Sequence, residues 1–421
     1  MEKAAVLVGI SIYETEIEFQ ESMMELEELC VSSGISEFYH MTQNRNAYDA
    51  KYLIGKGKVQ EIKEFVESHD IDLVVFNDEL SGSQMANIIE EVNVKVIDRP
   101  ALILDIFAKR AKTKLAMLQI ELAQLKYRLP RLKGIGENMS KLGAGIGTRG
   151  PGEQKLEIDR RRVNERIDDI KERLKKMENV RNIQRQKRIK SRLPIVSLVG
   201  YSNVGKSTLL NKLVSDEVEN KEVYVDDMLF ATLDTHSRLI SLDSKKDFIL
   251  NDTVGFVSKL PHFLIEAFKA TLEEINTSDL ILQVVDISAN NTEREIKIVD
   301  EVLNELKCEN IPRIMVYNKI DKVNENIELE DDKSIKISAL NDINLDKLLN
   351  KIEEVIYAGL TNTTLLFPFD KSDFASYIFN KYDVISNKYV SKGVIINVDL
   401  DNEDYNRFNK YIFLGNIDEE L

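Results

Sequence analysis

Hydrophobic residues change their period along this chain. In residues 1–100, short apolar runs at 6–10, 73–76 and 94–97 read as buried strands. They alternate with helical patterns at 16–30, 59–68 and 83–92. That alternation predicts a small α/β domain with a largely parallel sheet. From residue 101 the period becomes that of a heptad. Ala108, Ala111, Leu115, Leu118, Leu122, Leu125 and Leu129 form one seam, and Val163, Ile167, Ile170, Leu174 and Met177 form a second. Between them, after Pro130, lies a glycine-rich loop holding Gly134, Gly136, Gly143, Gly145, Gly147, Gly150 and Gly152. Two seams around one loop predict an antiparallel helical hairpin over 101–192, with 181–192 as a basic linker ended by Leu193-Pro194. Strand and helix patterns then resume over 193–360. A tail over 361–421 carries candidate strands at 364–367, 394–398 and 411–414 and is expected to form a small α+β domain.

Charge changes this picture. The 421 residues carry a net charge of −15, which alone argues against nucleic acid as a partner. Residues 105–192, however, hold 25 Lys/Arg against 11 Asp/Glu, a net +14 that leaves −29 for the remainder. A basic middle between acidic flanks marks a polyanion-binding surface. Around the loop, Lys141, Arg149, Arg160, Arg161 and Arg162 are the candidate RNA contacts, because glycine permits close backbone approach and the cations suit phosphates. No apolar run approaches the roughly 20 residues of a spanning helix, and the N-terminus lacks a secretory pattern. The two cysteines, Cys30 and Cys308, have no metal-ligand companions and read as reduced, buried thiols. A cytoplasmic protein is expected.

The chemistry sits in four short motifs. Gly200-Tyr201-Ser202-Asn203-Val204-Gly205-Lys206-Ser207 fits G-x-x-x-x-G-K-[ST] between an apolar strand and a helical pattern. Its backbone N–H groups, with the helix start at Ser207 and Thr208, would cradle phosphates. Lys206 would reach the β- and γ-phosphates, and Ser207 would ligate Mg²⁺. Asp252-Thr253-Val254-Gly255 fits D-x-x-G; Asp252 would hold Mg²⁺ through water, and the Gly255 N–H would sense the γ-phosphate. Asn318-Lys319-Ile320-Asp321 fits N-K-x-D, in which the aspartate accepts from guanine N1 and N2. Adenine lacks that donor pair, so the pattern selects GTP over ATP. Ser338-Ala339-Leu340 fits the element whose backbone supports the guanine oxygen. Between the P-loop and D-x-x-G, Thr232 is the candidate switch threonine that ligates Mg²⁺ in the triphosphate state, with Phe230 counted among the nucleotide contacts and Thr235 as a weaker rival. Lys206, Thr232 and Gly255 are therefore the expected catalytic groups.

Two positions qualify this reading. Phe256 stands where many signalling GTPases place a water-orienting glutamine, so slow intrinsic hydrolysis and stimulation by a partner are expected. Asn203 matches a P-loop asparagine that accompanies K⁺ in some GTPases; a K⁺ site and a loop-stabilising asparagine are both open readings. In the N-terminal segment, Gly55-Lys56-Gly57-Lys58 reads equally as an anion-contacting turn or a plain surface turn.

Taken together, these residues resemble the HflX family of GTPases. The likeness rests on Gly145-Ile146-Gly147-Thr148-Arg149-Gly150-Pro151-Gly152-Glu153, on Leu156-Glu157 and Asp159-Arg160-Arg161, on 52–58, and on Asp252 to Phe256 with Leu260-Pro261-His262 and 270–274. Gln154-Lys155 and Thr235-His236 depart from the family's usual residues without removing a catalytic group. The resemblance implies a P-loop GTPase domain with the flanking domains described above, acting as a monomer. It implies binding of the large ribosomal subunit and its rRNA, with the hairpin near the peptidyl-transferase region, and dissociation of stalled or dormant ribosomes. The alternative is a GTP-switched anti-association or assembly factor that does not split ribosomes. Peripheral association with the membrane is left open. An RNA-modifying activity finds little material in four histidines and two cysteines. Some relatives hydrolyse ATP through the N-terminal domain, but residues 1–100 hold no separate Walker-type motif.

Overall fold

Helices in the N-terminal segment start where a side chain can take the first free backbone N–H groups. Thr15 accepts from Glu18 N and Glu18 reciprocates, closing a capping box at the head of α1 (Glu16–Ser33). Ser81 and Gln84 repeat the device at α3 (Gly82–Val92), and Asp98 with Pro100 opens α4 (Arg99–Arg110). α2 (Lys56–His69) starts from Gly55. A computed structural model of the chain describes residues 4–140, 151–191, 193–214, 236–323 and 331–413, except positions 243, 245, 260, 262, 265, 268–271, 273, 290, 332 and 383. By its contacts the chain divides into two compact units, 1–240 with 248–344, and 241–247 with 345–421.

In the first unit, β1 (Ala4–Ser11), β2 (Glu37–Asn44), β3 (Leu73–Phe76) and β4 (Lys95–Asp98) form a wholly parallel sheet in the order β2-β1-β3-β4. Sequence periodicity missed β2. It is an edge strand, partly exposed along its length, so its Tyr, His, Thr, Gln and Asn carry no clear apolar alternation. The other strands alternate between two covered faces. Val6, Val8, Val74 and Phe76 meet α2 and α3 on one side. Ala5, Leu7 and Val75 meet α1 and α4 on the other, through Leu26, Leu29, Leu102 and Phe107.

The helical hairpin departs from the expected seam. α4 stops at Arg110, and Thr113 recaps the chain so that α5 runs Lys114–Ser140. Ala108 and Ala111 therefore do not extend the heptad. Nor does Pro130 end α5: the helix continues through it, and Arg131 Nη1 donates to Tyr127 O at 2.8 Å, satisfying a carbonyl beside the interruption. α6 (Pro151–Ser191) is a single helix that absorbs the expected linker. The rest of the glycine-rich loop, 141–150, lies outside the described residues. Leu118, Leu122, Ile167 and Ile170 are buried where α5 meets α6, flanked by Leu125, Leu129, Val163, Leu174 and Met177. Arg166 clamps Glu121 at 2.7 and 2.8 Å beside them.

The second sheet has the order β10-β9-β8-β5-β7-β6. Its strands are β5 (Ile195–Gly200), β6 (His236–Ser241), β7 (Asp247–Asp252), β8 (Leu280–Asp286), β9 (Arg313–Asn318) and β10 (Ser334–Lys336). β5 is parallel to β7 and β8, as β9 is to β8 and β10. α7 (Lys206–Leu213) follows β5, and α8 (Thr292–Glu305) precedes β9. Val254, Phe256, Val257, Val299 and Leu303 join the same core as Leu26, Leu29 and Phe107. The two sheets thus share a hydrophobic layer. Among the described residues, no helix is long and apolar enough to cross a membrane.

In the second unit, α9 (Leu345–Ile356) precedes an antiparallel sheet β11-β13-β12. The strands are β11 (Leu360–Phe367), β12 (Val384–Val390) and β13 (Gly393–Asp401), with α10 (Ser372–Lys381) and α11 (Asn402–Arg407). Phe367, Ile378, Ile396 and Phe408 centre its core. Of the strand expected at 411–414, Tyr411 ends a 3-10 turn, Asn409–Tyr411, Ile412 makes one antiparallel bridge to Leu365, Phe413 N donates to Thr364 O at 2.8 Å, and residue 414 lies outside the described residues. Tyr411 packs its ring against Phe367 and Phe374, which explains the apolar signal without a strand.

Phe107 is buried in the layer that both sheets share. Phe107→Ala should lower the free energy of unfolding by about 3–5 kcal/mol, while Met117→Ala on an exposed face should change it by less than ~0.5 kcal/mol. Urea denaturation of the two variants checks this.

Candidate nucleotide site

The loop after β5 is shaped by close backbone approaches. A Cβ on Gly200 would lie 2.2 Å from Val284 O, and one on Gly205 would lie 2.4 Å from Asn318 Nδ2. Gly205 also has φ 92°, a left-handed conformation that glycine adopts without strain. Asn203 shares that region at φ 64°. The loop therefore wraps the N-terminus of α7, where unsatisfied N–H groups favour an anion.

Lys206 lies buried at the first position of α7, with Nζ donating to Gly200 O at 3.0 Å and Tyr201 O at 2.6 Å. Burial pulls its pKa down to about 8, against the pull of Asp252 and Glu295 in the other direction. Ser207 Oγ donates to Asp252 Oδ2 at 2.7 Å, bringing a hydroxyl and a carboxylate to one point. Hard oxygen donors of this kind suit Mg²⁺. Thr253 fastens to Leu198 O at 2.6 Å. Gly255 sits so close that a Cβ there would be 2.8 Å from Ser202 Cα and 3.1 Å from Lys206 Nζ.

Asn318 joins the two halves of the site. Its Nδ2 donates to Val204 O, and its Oδ1 accepts from Ala339 N, both at 2.9 Å. Lys319, at φ 64°, reaches back to Asn203 O at 2.8 Å and to Asp286 at 2.7 Å. Asp321 accepts from Ser338 Oγ, so its carboxylate is already turned toward the Ser338-Ala339-Leu340 loop. Leu340 is exposed at that loop's tip. The four motifs thus converge, with Thr208 continuing α7 behind them. Phe230, Thr232, Thr235, Lys141 and Arg149 lie outside the described residues. Arg160, Arg161 and Arg162 are exposed on α6, far along the chain from the nucleotide motifs. Gly55 serves as the plain N-cap of α2, its N–H donating to Gln43.

Three model families match consecutive parts of the sequence: GTP-binding GTPase N-terminal over 20–108, GTP-binding GTPase Middle Region over 110–188, and 50S ribosome-binding GTPase over 195–319. The GTPase HflX of Caldanaerobacter subterraneus subsp. tengcongensis is 46% identical over 408 residues, which is 97% of this chain and 93% of that protein. This chain belongs to the HflX family. The GTPase HflX of Escherichia coli is 39% identical, covering 86% of this chain and 85% of its own length. A GTP-binding protein from Sulfolobus solfataricus, solved with GDP, is 26% identical over 85% of this chain and 99% of its own, with a TM-score of 0.44. As an HflX GTPase, the protein is a GTP hydrolase.

Sequence motifs did not mark every group around this HflX site. Asp286, which holds Lys319, closes β8 without a motif of its own. A cleft of about 260 Å³ behind the P-loop is lined by Glu25, Tyr201, Asn203, Asp286, Arg294 and Glu295. Within it, burial, reinforced by Asp286 and Glu25, raises the Glu295 carboxyl from its ordinary 4.5 to about 8. No linear signal could locate such a group, because its environment comes from helices far apart in sequence.

Two outcomes follow. Asp321→Asn removes one of two acceptors for guanine and should weaken GTP binding by roughly 10²-fold or more, with a relative gain for xanthosine triphosphate, read with fluorescent nucleotides. For Glu295, the folded state holds a proton that the unfolded chain has lost between pH 4.5 and about 8. Its contribution to stability therefore falls as pH rises through that window. Glu295→Gln should flatten that part of the stability profile and raise the melting temperature at pH 8; an unchanged profile would refute the assignment.

Proposed function

We propose that this HflX GTPase uses GTP to dock on the large ribosomal subunit and separate stalled or dormant ribosomes into subunits. The observation that carries this reading is the basic hairpin. Residues 105–192 hold a net +14 in a chain of net −15, and Arg160, Arg161 and Arg162 stand exposed on α6. Such a surface attracts rRNA phosphates without requiring a sequence, and its affinity falls steeply with salt. The family model over 195–319 is described as a 50S ribosome-binding GTPase, which supports the same partner.

In this reading, the P-loop N–H groups and Lys206 hold the phosphates of GTP, while Asn318, Asp321 and Ala339 read guanine. Ser207, Asp252 through water, and Thr232 are the groups that would hold Mg²⁺, which neutralises charge on the β- and γ-phosphate oxygens when bound. The 2.7 Å contact of Ser207 with Asp252 fits that donor set. Asn203 commits its backbone carbonyl to Lys319, a loop-stabilising role; the proposed K⁺ would involve its side chain. Gly255 N–H faces the γ-phosphate. Phe256 is buried at 2% exposure, turned away from any attacking water. Water must then be oriented by another group or by the bound ribosome, so intrinsic turnover is slow and the ribosome stimulates it.

The test is a sucrose-gradient profile of purified 70S ribosomes incubated with the protein. A non-hydrolysable GTP analogue should raise free subunits, and GDP should not. Binding to the large subunit with no rise in free subunits would replace splitting with an anti-association or assembly role. Neutralising Arg160, Arg161 and Arg162 together should weaken ribosome binding and lower its salt slope by up to about three units.

A further inference from the structure

The chain immediately after D-x-x-G is gripped by the N-terminal sheet unit. Glu25, on α1, is the centre of the grip. Its Oε1 accepts from the Tyr201 hydroxyl at 2.7 Å and from Ser258 N at 3.0 Å, and its Oε2 accepts from Ser258 Oγ. Ser258 N is shared with the Tyr201 oxygen. Arg99, at the start of α4 and 1% exposed, lies 2.7 Å from Glu25 and donates to Ser258 Oγ at 2.9 Å. Asn77, at the end of β3, fixes Arg99 at 2.7 Å and donates in turn to Ser22. One residue further on, Lys259 takes φ 53° and pairs with Asp78 at 2.9 Å and Glu14 at 3.4 Å. Apart from Tyr201, which belongs to the P-loop, every one of these partners comes from the N-terminal sheet unit.

Tyr201 is itself a P-loop residue, and its backbone bridges to Phe256. Ser202 N donates to Phe256 O at 2.7 Å, and Phe256 N to Gly200 O at 3.2 Å. Gly255 therefore sits between two fixed points, the P-loop and Ser258. Burial, and the adjacent Glu25 carboxylate, raise the Tyr201 phenol well above its ordinary value, so it remains a neutral donor throughout the working range of pH.

We propose that Glu25, oriented by Arg99, is a positioning residue for GTP recognition: through Tyr201 and Ser258 it fixes the Gly255 N–H and couples γ-phosphate binding to the N-terminal sheet unit. This rests on the reading of Gly255 as the γ-phosphate contact. Loosening the grip leaves the P-loop and guanine contacts intact, so GDP binding is spared. It costs GTP binding, because Gly255 must then be ordered when the γ-phosphate arrives. Coupling is reciprocal, so the triphosphate must also alter α1.

Tyr201→Phe removes one hydroxyl and no packing volume, and Glu25→Gln removes the charge while keeping the shape. In the full chain, each should lower affinity for a GTP analogue by about fivefold or more, the lower end of typical allosteric coupling, while GDP affinity stays within about twofold. Hydrogen exchange over residues 16–33 should differ between the analogue and GDP in the parent protein, and that difference should shrink in Tyr201→Phe. An unchanged affinity ratio in both variants, or one shifted toward the triphosphate, overturns the proposal. So does a lower melting temperature with equal losses for both nucleotides, which marks a purely structural contact. Gly255→Ala separates the two levels of the argument. If it loses triphosphate affinity selectively while Tyr201→Phe and Glu25→Gln do not, only the coupling falls. If it shows no selective loss, the reading of Gly255 falls and the coupling with it.

Discussion

Burial of Phe256 is the constraint on which the nucleotide-binding unit turns. Its ring lies in the layer shared by the two sheets, with Leu26, Leu29 and Phe107 in the same cluster. Full burial of a phenylalanine is worth about 1.5–3 kcal/mol. Its backbone, meanwhile, is tied to the P-loop by bonds to Gly200 and Ser202. The residue therefore cannot serve both the core and an attacking water. A glutamine here would leave a polar amide in an apolar layer, at a cost of about 1–3 kcal/mol without a partner. The sequence position that self-sufficient GTPases devote to catalysis is here devoted to holding two sheets together. Anchoring of the D-x-x-G segment follows from the same burial, and the proposed dependence of hydrolysis on an outside group would follow from it too.

The elements that sequence could reveal are those whose burial is local. β1, β3 and β4 are buried runs, and their positions followed from the apolar pattern within a residue or two. β2 did not, because an edge strand alternates too weakly to register. The heptad seam was correct where α5 meets α6, at Leu118, Leu122, Ile167 and Ile170. It failed at Ala108 and Ala111, because small residues fit a helix end and a seam equally well. Pro130 misled for a different reason: α5 runs through it, with the Arg131 side chain bonded to Tyr127 O one residue beyond the carbonyl that Pro130 leaves without a donor, an arrangement no propensity scale contains. At the other end of the chain, Tyr411 read as strand because its ring packs against the core at Phe367, although its backbone is in a turn.

The same division runs through the site. Asn318, Lys319 and Asp321 could be singled out because they form a fixed pattern after a strand, and the fold brings them beside the P-loop and the Ser338-Ala339 turn. The structure adds that Asn318 links P-loop and base loop by one side chain, so the two are positioned together. Glu25, Asp286 and Glu295 were not legible. Each acts only through residues brought near by the fold, and glutamate on a helix is by far most often a solvated face. What distinguishes Glu25 is its company: a buried arginine, a tyrosine hydroxyl and a serine, all with complementary donors. A buried ion pair without such hydrogen bonds would be a net cost. Here the lone pairs of Glu25 are used by groups on both sheets, so the pair specifies an arrangement as well as surviving burial.

Charge works at a different range from these contacts. At physiological ionic strength the Debye length is about 8 Å, and at ~1.5 Å per residue the 27 residues of α5 extend about 40 Å. Part of α5 lies directly against acidic groups, Lys126 pairing with Glu266 and Arg131 with Glu79 and Asp98, whereas Arg160, Arg161 and Arg162 on α6 stay exposed. The net charge of −15 does not describe what an approaching polyanion meets; the local +14 does. The acidic bulk still matters, because phosphates repel it wherever it comes within a Debye length, and that disfavours adsorption through the wrong face. On the polyanionic partner proposed above, attraction at the hairpin and repulsion elsewhere would favour one orientation, which neither the total charge nor a uniformly basic surface would do.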